Sequence, residues 1–237
     1  PIAVMIALSF NASKSRAVWG GFSLTWYAQL FDSLEIMQAL QVTLTVAVLA
    51  TLVATVIGSL GAIGIHAMKS GRANALINLS YLSMTTPDIA TGVSLMLMFV
   101  FMKIPLGWGT MLMAHIAFDT PYVLFSVLPK LRQMNPSTYE AALDLGCKPG
   151  KALRKVILPQ IMPGIVTGAL LSFTMSLDDF VISYFTSNTD QNLSMIVYSA
   201  ARRGIEPTIY ALSTLMFLAV LVLLVVINKR SSLEDVS

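Results

Sequence analysis

From Ile36 to Ile65 the chain runs without a single Asp, Glu, Lys or Arg. A helix rises 1.5 Å per residue, so ~20 apolar residues cross ~30 Å of hydrocarbon. Within lipid the backbone must satisfy its own hydrogen bonds, and this run is read as a membrane-spanning helix. Val156–Leu177 and Pro207–Asn228 repeat the pattern, each with 22 uncharged residues. Two further apolar segments are interrupted. Ala73–Met102 contains Pro87-Asp88, where the span is expected to kink or split. Met111–Leu128 carries His115, Asp119 and Pro121. Pro1–Ser13 is uncharged but only 13 residues long and is expected to be the second half of a first span. A signal-peptide remnant would need a basic flank or a small-residue cleavage site, and neither is there. The expectation is an all-α integral membrane protein with six spans, the first cut short, and both termini on one side.

Composition agrees with a membrane chain: 11% of residues are charged, against about 25% in soluble domains. One cysteine, Cys147, excludes a disulfide framework and a cysteine metal site. His66 and His115 are far apart, so no metal site is expected. A net charge of +3 is too small to argue for nucleic acid. The distribution of charge is more informative. Segments 66–74, 130–155 and 229–237 hold ten Lys and Arg, while 11–35, 103–109 and 178–206 hold five. The positive-inside rule places the first set, and the C-terminus, in the cytoplasm. Trp19, Trp26 and Tyr27 suit a membrane–water boundary. Gly58, Gly61 and Gly64 would let a neighbouring helix approach closely. No linker, repeat or inverted symmetry is evident, so residues 1–237 are read as one membrane domain.

The most polar passage, 136–159, separates the fourth and fifth spans. Ser137 and Glu140 have capping-box spacing, which predicts a helix from there through Leu143. Gly146 permits a left-handed stop and Pro149 enforces it. Gly150–Val156 then reads as a second short helix carrying Lys151, Arg154 and Lys155. Gly146 to Lys151 superficially resembles a phosphate loop. It has three residues between its glycines where four are needed, Ala152 where Ser or Thr would hold magnesium, and a helix before it instead of a strand. The chain is therefore not expected to bind ATP itself.

Glu140-Ala141-Ala142, then Gly146, Val156 and Leu158-Pro159, stand at the spacing of the EAA motif, with valine where that motif has isoleucine. On these residues the chain resembles the membrane subunits of type I ABC importers. Ser9-Phe10-Asn11, Trp26-Tyr27, Pro87-Asp88-Ile89, Leu143-Asp144-Leu145-Gly146 and Ser176-Leu177-Asp178-Asp179 extend the resemblance to permeases for the polyamines spermidine and putrescine. The resemblance implies a non-catalytic transport subunit in a bacterial cytoplasmic membrane. It implies as partners a second, homologous permease, two cytoplasmic ATPase subunits carrying ATP and Mg, and an extracytoplasmic polyamine-binding protein. Residues 136–159 would be the coupling element, with Glu140, Ala141, Ala142 and Gly146 docking on the ATPase and Leu158-Pro159 setting the exit angle of the fifth span. The apolar Tyr139, Ala142, Leu143 and Leu145 independently suggest a helix face made for a partner groove.

Asp88, Asp119, Asp178 and Asp179 lie in or beside apolar segments. Such carboxylates normally face a cavity or a partner charge. Asp88 and Asp178-Asp179, with Phe173, Phe180 and Tyr184, are candidate pathway residues: separated negative charges and aromatic walls match an elongated polycation. Each has an ordinary alternative. Asp88 can cap the second half of a broken helix, Asp178 can mark a helix end, and the aromatics can face lipid or core. Asp119 departs from the family pattern and receives no role. His115 is read as a satisfied core histidine. Arg202-Arg203 is read as a solvated pair, with docking of a binding protein as the alternative. Two competing readings remain: an ABC permease for another small solute, and a proton-coupled secondary transporter using His115 and the aspartates.

Overall fold

The computed structural model describes residues 2–204 and 206–234. Among these the fold is all-helical, with helices α1 (Ile2–Ser9), α2 (Thr25–Asp32), α3 (Leu34–Ala67), α4 (Ser70–Thr85), α5 (Asp88–Phe101), α6 (Trp108–Gln133), α7 (Pro136–Asp144), α8 (Pro149–Ala152), α9 (Leu158–Asp178), α10 (Val181–Thr186), α11 (Leu193–Arg203) and α12 (Pro207–Glu234). A π-helical turn, Leu153–Ile157, joins α8 to α9. The helices form two compact units, Pro1–Ala39 with Ile196–Ser237, and Leu40–Met195.

Among the described residues, three stretches are long and apolar enough to cross a membrane: Leu34–Ala67, Trp108–Gln133 and Pro149–Asp178. The pair Ser70–Thr85 and Asp88–Phe101 makes a fourth if counted together, bent by 106°. The expected interruption at Pro87-Asp88 is thus a full break. Proline lacks the N–H that would continue the ladder, and the extended Pro87 backbone precedes Asp88 as the first helical residue of α5. Asp88 is not the cap. The expected first span appears as the eight residues of α1. In the expected last span, the backbone of α12 runs 28 residues, and Pro207–Leu218 form its described apolar part.

In the first unit α1 and α2 pack on α12. Asn11, 1% exposed, organises the loop between α1 and α2. Its side chain donates to Ser15 O and Val18 O and accepts from Ser13 N and Gly20 N. Its carbonyl accepts from Trp26 Nε1 at 2.6 Å. Phe10 stacks on Phe22 and leans on Tyr27, whose hydroxyl is 2.8 Å from Ser9 Oγ. Ser9-Phe10-Asn11 and Trp26-Tyr27 are therefore one packed cluster. Later in the same unit the Arg202 guanidinium lies 5.8 Å from the centre of the Tyr198 ring.

The second unit is built on α6. Val123, Val127 and Leu131 of that helix meet Ala54, Ala62 and Ile65 of α3, Ala73 of α4 and Ile161 of α9. Small residues make the approach possible, because lipid supplies no hydrophobic drive and packing decides association. A Cβ on Gly58 would stand 2.9 Å from Thr120 O, and one on Gly168 would stand 2.9 Å from Val123 Cα. Gly61 makes only ordinary contact and Gly64 faces open space, so the expected glycine seam is Gly58 alone. The closer seam, Gly164 and Gly168 of α9 against α6, was hidden by a four-residue spacing inside an otherwise apolar run.

Candidate functional site

Two places in the second unit carry chemistry beyond packing. The first is the α7–α8 element. Pro136 sits at N1, where a missing N–H costs nothing. That forces the cap onto Asn135, whose Oδ1 accepts from Ser137 N at 3.1 Å. The expected Ser137–Glu140 capping box does not form, because Ser137 is already inside the helix and Thr138, not Glu140, occupies N3. Glu140 is exposed, as is Ala141; Ala142 is half-buried. The helix ends as anticipated on Gly146, at φ +80°. Gly146 N donates to Leu143 O and Cys147 N to Ala142 O, which satisfies carbonyls left free at the helix end. Leu145, 88% exposed, projects from this turn.

The second short helix is not a separate element. α8 passes through the π turn into α9 without a break, so Pro149–Asp178 is one continuous 30-residue helix. Leu158 and Pro159 are its N1 and N2 relative to α9. Proline at 159 has no N–H for the carbonyl four residues earlier, and the wider π turn ends just before it. Behind α7 lies an open cavity of about 490 Å³ between Ile63, His66, Leu131, Tyr139, Glu140 and Leu153.

The second place is the break between α9 and α10. Asp179 leaves α9 in extended conformation and turns its carboxylate onto the next helix. Oδ1 accepts from Ile182 N at 3.1 Å, and Oδ2 accepts from Ser183 N at 2.7 Å and Ser183 Oγ at 2.9 Å. Asn192 Nδ2 donates to Asp179 O and to Ser183 Oγ. His115, from α6, lies against this knot: Nε2 is 2.9 Å from Ser183 Oγ and 3.4 Å from Asp179 Oδ2, and Nδ1 is 2.7 Å from Ser176 Oγ. The His115 and Asp179 side chains are 2% and 8% exposed. Both ring nitrogens are engaged, the arrangement of a satisfied buried histidine.

Adjacent Asp178 is exposed. Asp88 is exposed in the first turn of α5, on the face that packs against α10; one turn on, a Cβ on Gly92 would stand 3.0 Å from the Phe185 ring. Phe180 and Tyr184 pair at 5.5 Å, and Tyr184 meets Phe185 edge-on at 5.4 Å. Tyr184 is exposed, whereas Phe173 and Phe180 are half-buried. The candidate pathway residues thus divide: Asp88, Asp178 and Tyr184 are accessible, Phe173 and Phe180 partly so, and the Asp179 side chain is buried and hydrogen-bonded within the knot. Sequence reading gave no role to Ser176, quoted only for the resemblance, and missed Ser183 and Asn192; the three become a set only across three segments. It also missed Tyr122, which is within electrostatic reach of both Asp88 and Asp119.

A family model described as "binding-protein-dependent transport system inner membrane component" matches residues 54–229. The chain is 37% identical over 236 residues to the spermidine/putrescine transport system permease protein PotC of Haemophilus influenzae, covering 98% of this chain and 92% of that one. It is 38% identical over 230 residues to the putrescine transport system permease protein PotI of Escherichia coli, covering 93% and 81%. Among solved structures, a bacterial ABC transporter for import of the acidic polysaccharide alginate superposes with TM-score 0.71 at 18% identity, covering 96% of this chain and 85% of that one. The MetNI methionine ABC transporter superposes with TM-score 0.67 at 20% identity, covering 86% and 99%.

Proposed function

Because this chain belongs to the family of binding-protein-dependent transport system inner membrane components, we propose that it forms half of a polyamine pathway in an ATP-driven importer. It is a multi-pass protein of the bacterial plasma membrane, and as a transport component it is not itself the catalyst. It crosses the membrane six times with its C-terminus in the cytoplasm, where the basic segments lie. A second, similar permease supplies the other half of the pathway. Two ATPase subunits, which hold ATP and Mg, receive α7 in their grooves through Glu140, Ala141, Ala142 and the Gly146 turn. An extracytoplasmic protein captures the polyamine and delivers it.

The observation that carries the substrate assignment is the 37% identity, over nearly the whole chain, to a spermidine/putrescine permease. The accessible acids add to it. Asp88 and Asp178 are separate negative charges on the surface, and Tyr184 with Phe180 offers aromatic faces to an ammonium or its methylene spacer. A cation over such a ring gains ~0.5–2 kcal/mol, enough to guide a substrate that must also be released. The test is uptake of labelled spermidine by liposomes holding the complete complex and its binding protein, with putrescine, an amino acid and a metal chelate as competitors. Competition by putrescine alone is expected. Uptake that ignores ATP and follows a proton gradient would overturn the reading.

A further inference from the structure

Asp119 is 0% exposed, and among the described residues neither of its carboxylate oxygens has a hydrogen-bond partner. A buried carboxylate without donors is a liability that folding alone gives no reason to keep. Its surroundings are ordered. Asp119 follows His115 by one turn of α6, and Ser172 precedes Ser176 by one turn of α9. The two helices pack along their length, and the pairs form two rungs. On one rung His115 Nδ1 holds Ser176 Oγ at 2.7 Å. On the other, Asp119 has Ser172 as a polar neighbour, yet Ser172 Oγ, 0% exposed, is also without a partner in ordinary hydrogen-bond geometry. Two buried carboxylate oxygens and one buried hydroxyl therefore share one rung, and the Ser172 O–H is the single donor beside the carboxylate among these groups. The other charged and titratable groups in reach are His115 and Asp179, already tied to each other, and Tyr122, half-buried one turn along α6. Tyr122 is also in reach of exposed Asp88.

We propose that Asp119 and Ser172 are a latent acceptor site for a primary ammonium group of the transported polyamine, closed in this structure and reached from the Asp88 side when Tyr122 moves aside. A primary ammonium has one positive charge and three N–H donors, which matches two carboxylate oxygens and a hydroxyl. Asp88 and Asp119, both in electrostatic reach of Tyr122, then receive the cation in succession. This rests on the polyamine reading above and adds to it a residue inside the helix seam.

The experiment separates binding from scaffolding. The complete complex is prepared with Asp119→Asn, Asp119→Leu and Asp119→Glu, and each is measured for melting temperature in detergent and for spermidine uptake in liposomes. Neither carboxylate oxygen makes a hydrogen bond of ordinary geometry in this structure, so Asp119→Asn and Asp119→Leu melt at or above the parental temperature. Their uptake falls about tenfold, the scale of one lost charge-assisted hydrogen bond. Asp119→Glu keeps the charge and recovers part of the rate. Parental uptake in both neutral variants overturns the proposal, and so does a melting temperature lowered in step with uptake, which would make Asp119 structural. A parental complex that ignores spermidine and putrescine overturns the substrate reading, and this site with it.

Discussion

His115 Nε2 lies 3.4 Å from Asp179 Oδ2, and both side chains are closed off from solvent. His115 comes from α6 and Asp179 from the break between α9 and α10, and between them they fix how the chain leaves one helix and enters the next. Paired aspartates that look equivalent in sequence are thereby assigned opposite work: Asp179 faces inward to hold the turn, and Asp178 faces out.

The two should separate under mutation. Asp179→Ala removes acceptors from Ile182 N, Ser183 N and Ser183 Oγ and leaves His115 facing a gap. Each buried donor left without a partner costs ~1–3 kcal/mol, so the assembled complex should melt clearly lower. Asp178→Asn touches nothing buried and should leave the melting temperature unchanged while lowering polyamine uptake several-fold. Differential scanning fluorimetry and liposome uptake on the same preparations check both.

Gly146 stands at φ +80°, a conformation that costs an L-residue with a side chain ~1–2 kcal/mol. Gly146→Val should refashion the turn while leaving the spans inserted. The expected result is a membrane-integrated complex whose ATP hydrolysis no longer responds to loaded binding protein. Normal stimulation would show that the turn geometry does not matter for coupling.

Cys147 is the chain's one thiol, half-buried in the same turn. A membrane-impermeant maleimide should leave it unlabelled in intact cells. The reagent should label it in inverted vesicles stripped of the ATPase, and label it more slowly when the ATPase is restored. Labelling of sealed cells would invert the orientation given to α7.

The α6–α9 seam gives a prediction about packing. A methyl on Gly168 would press on Val123 Cα at 2.9 Å, and one on Gly164 on Ser126 O at 2.8 Å. Backbone cannot yield as a side-chain tip does, and overpacking of this kind costs ~1–3 kcal/mol. Gly164→Ala and Gly168→Ala should each lower the melting temperature, whereas Gly64→Ala, which faces open space, should not. Thermal melts of the three variants make the comparison.

Much of this was legible in sequence because it follows from local rules. Uncharged length marked the helices, Pro87-Asp88 marked a break, and Gly146 marked a left-handed stop. The local rules failed where two of them competed. Ser137 and Glu140 have capping-box spacing, but Pro136 fits only the first helical position, and so the cap moved to Asn135. The continuous passage from α8 into α9 was illegible because a π turn has no composition of its own. The knot around Asp179 was illegible for another reason: His115, Ser176, Ser183 and Asn192 meet only once α6, α9, α10 and the segment after α10 are brought together. No reading along the chain distinguishes Asp178 from Asp179 without that contact.

The unbroken Pro149–Asp178 helix has a mechanical corollary. Thirty residues at 1.5 Å each make a rod about 45 Å long. One end is gripped by the α7 turn and the other carries Asp178. If α7 is carried by a moving ATPase, a tilt of about 10° about one end swings the other by roughly 8 Å over that length. Such a sweep exceeds the width of an ammonium group. In the proposed importer such a sweep would carry the Asp178 carboxylate with it, with no relay of intermediate side chains.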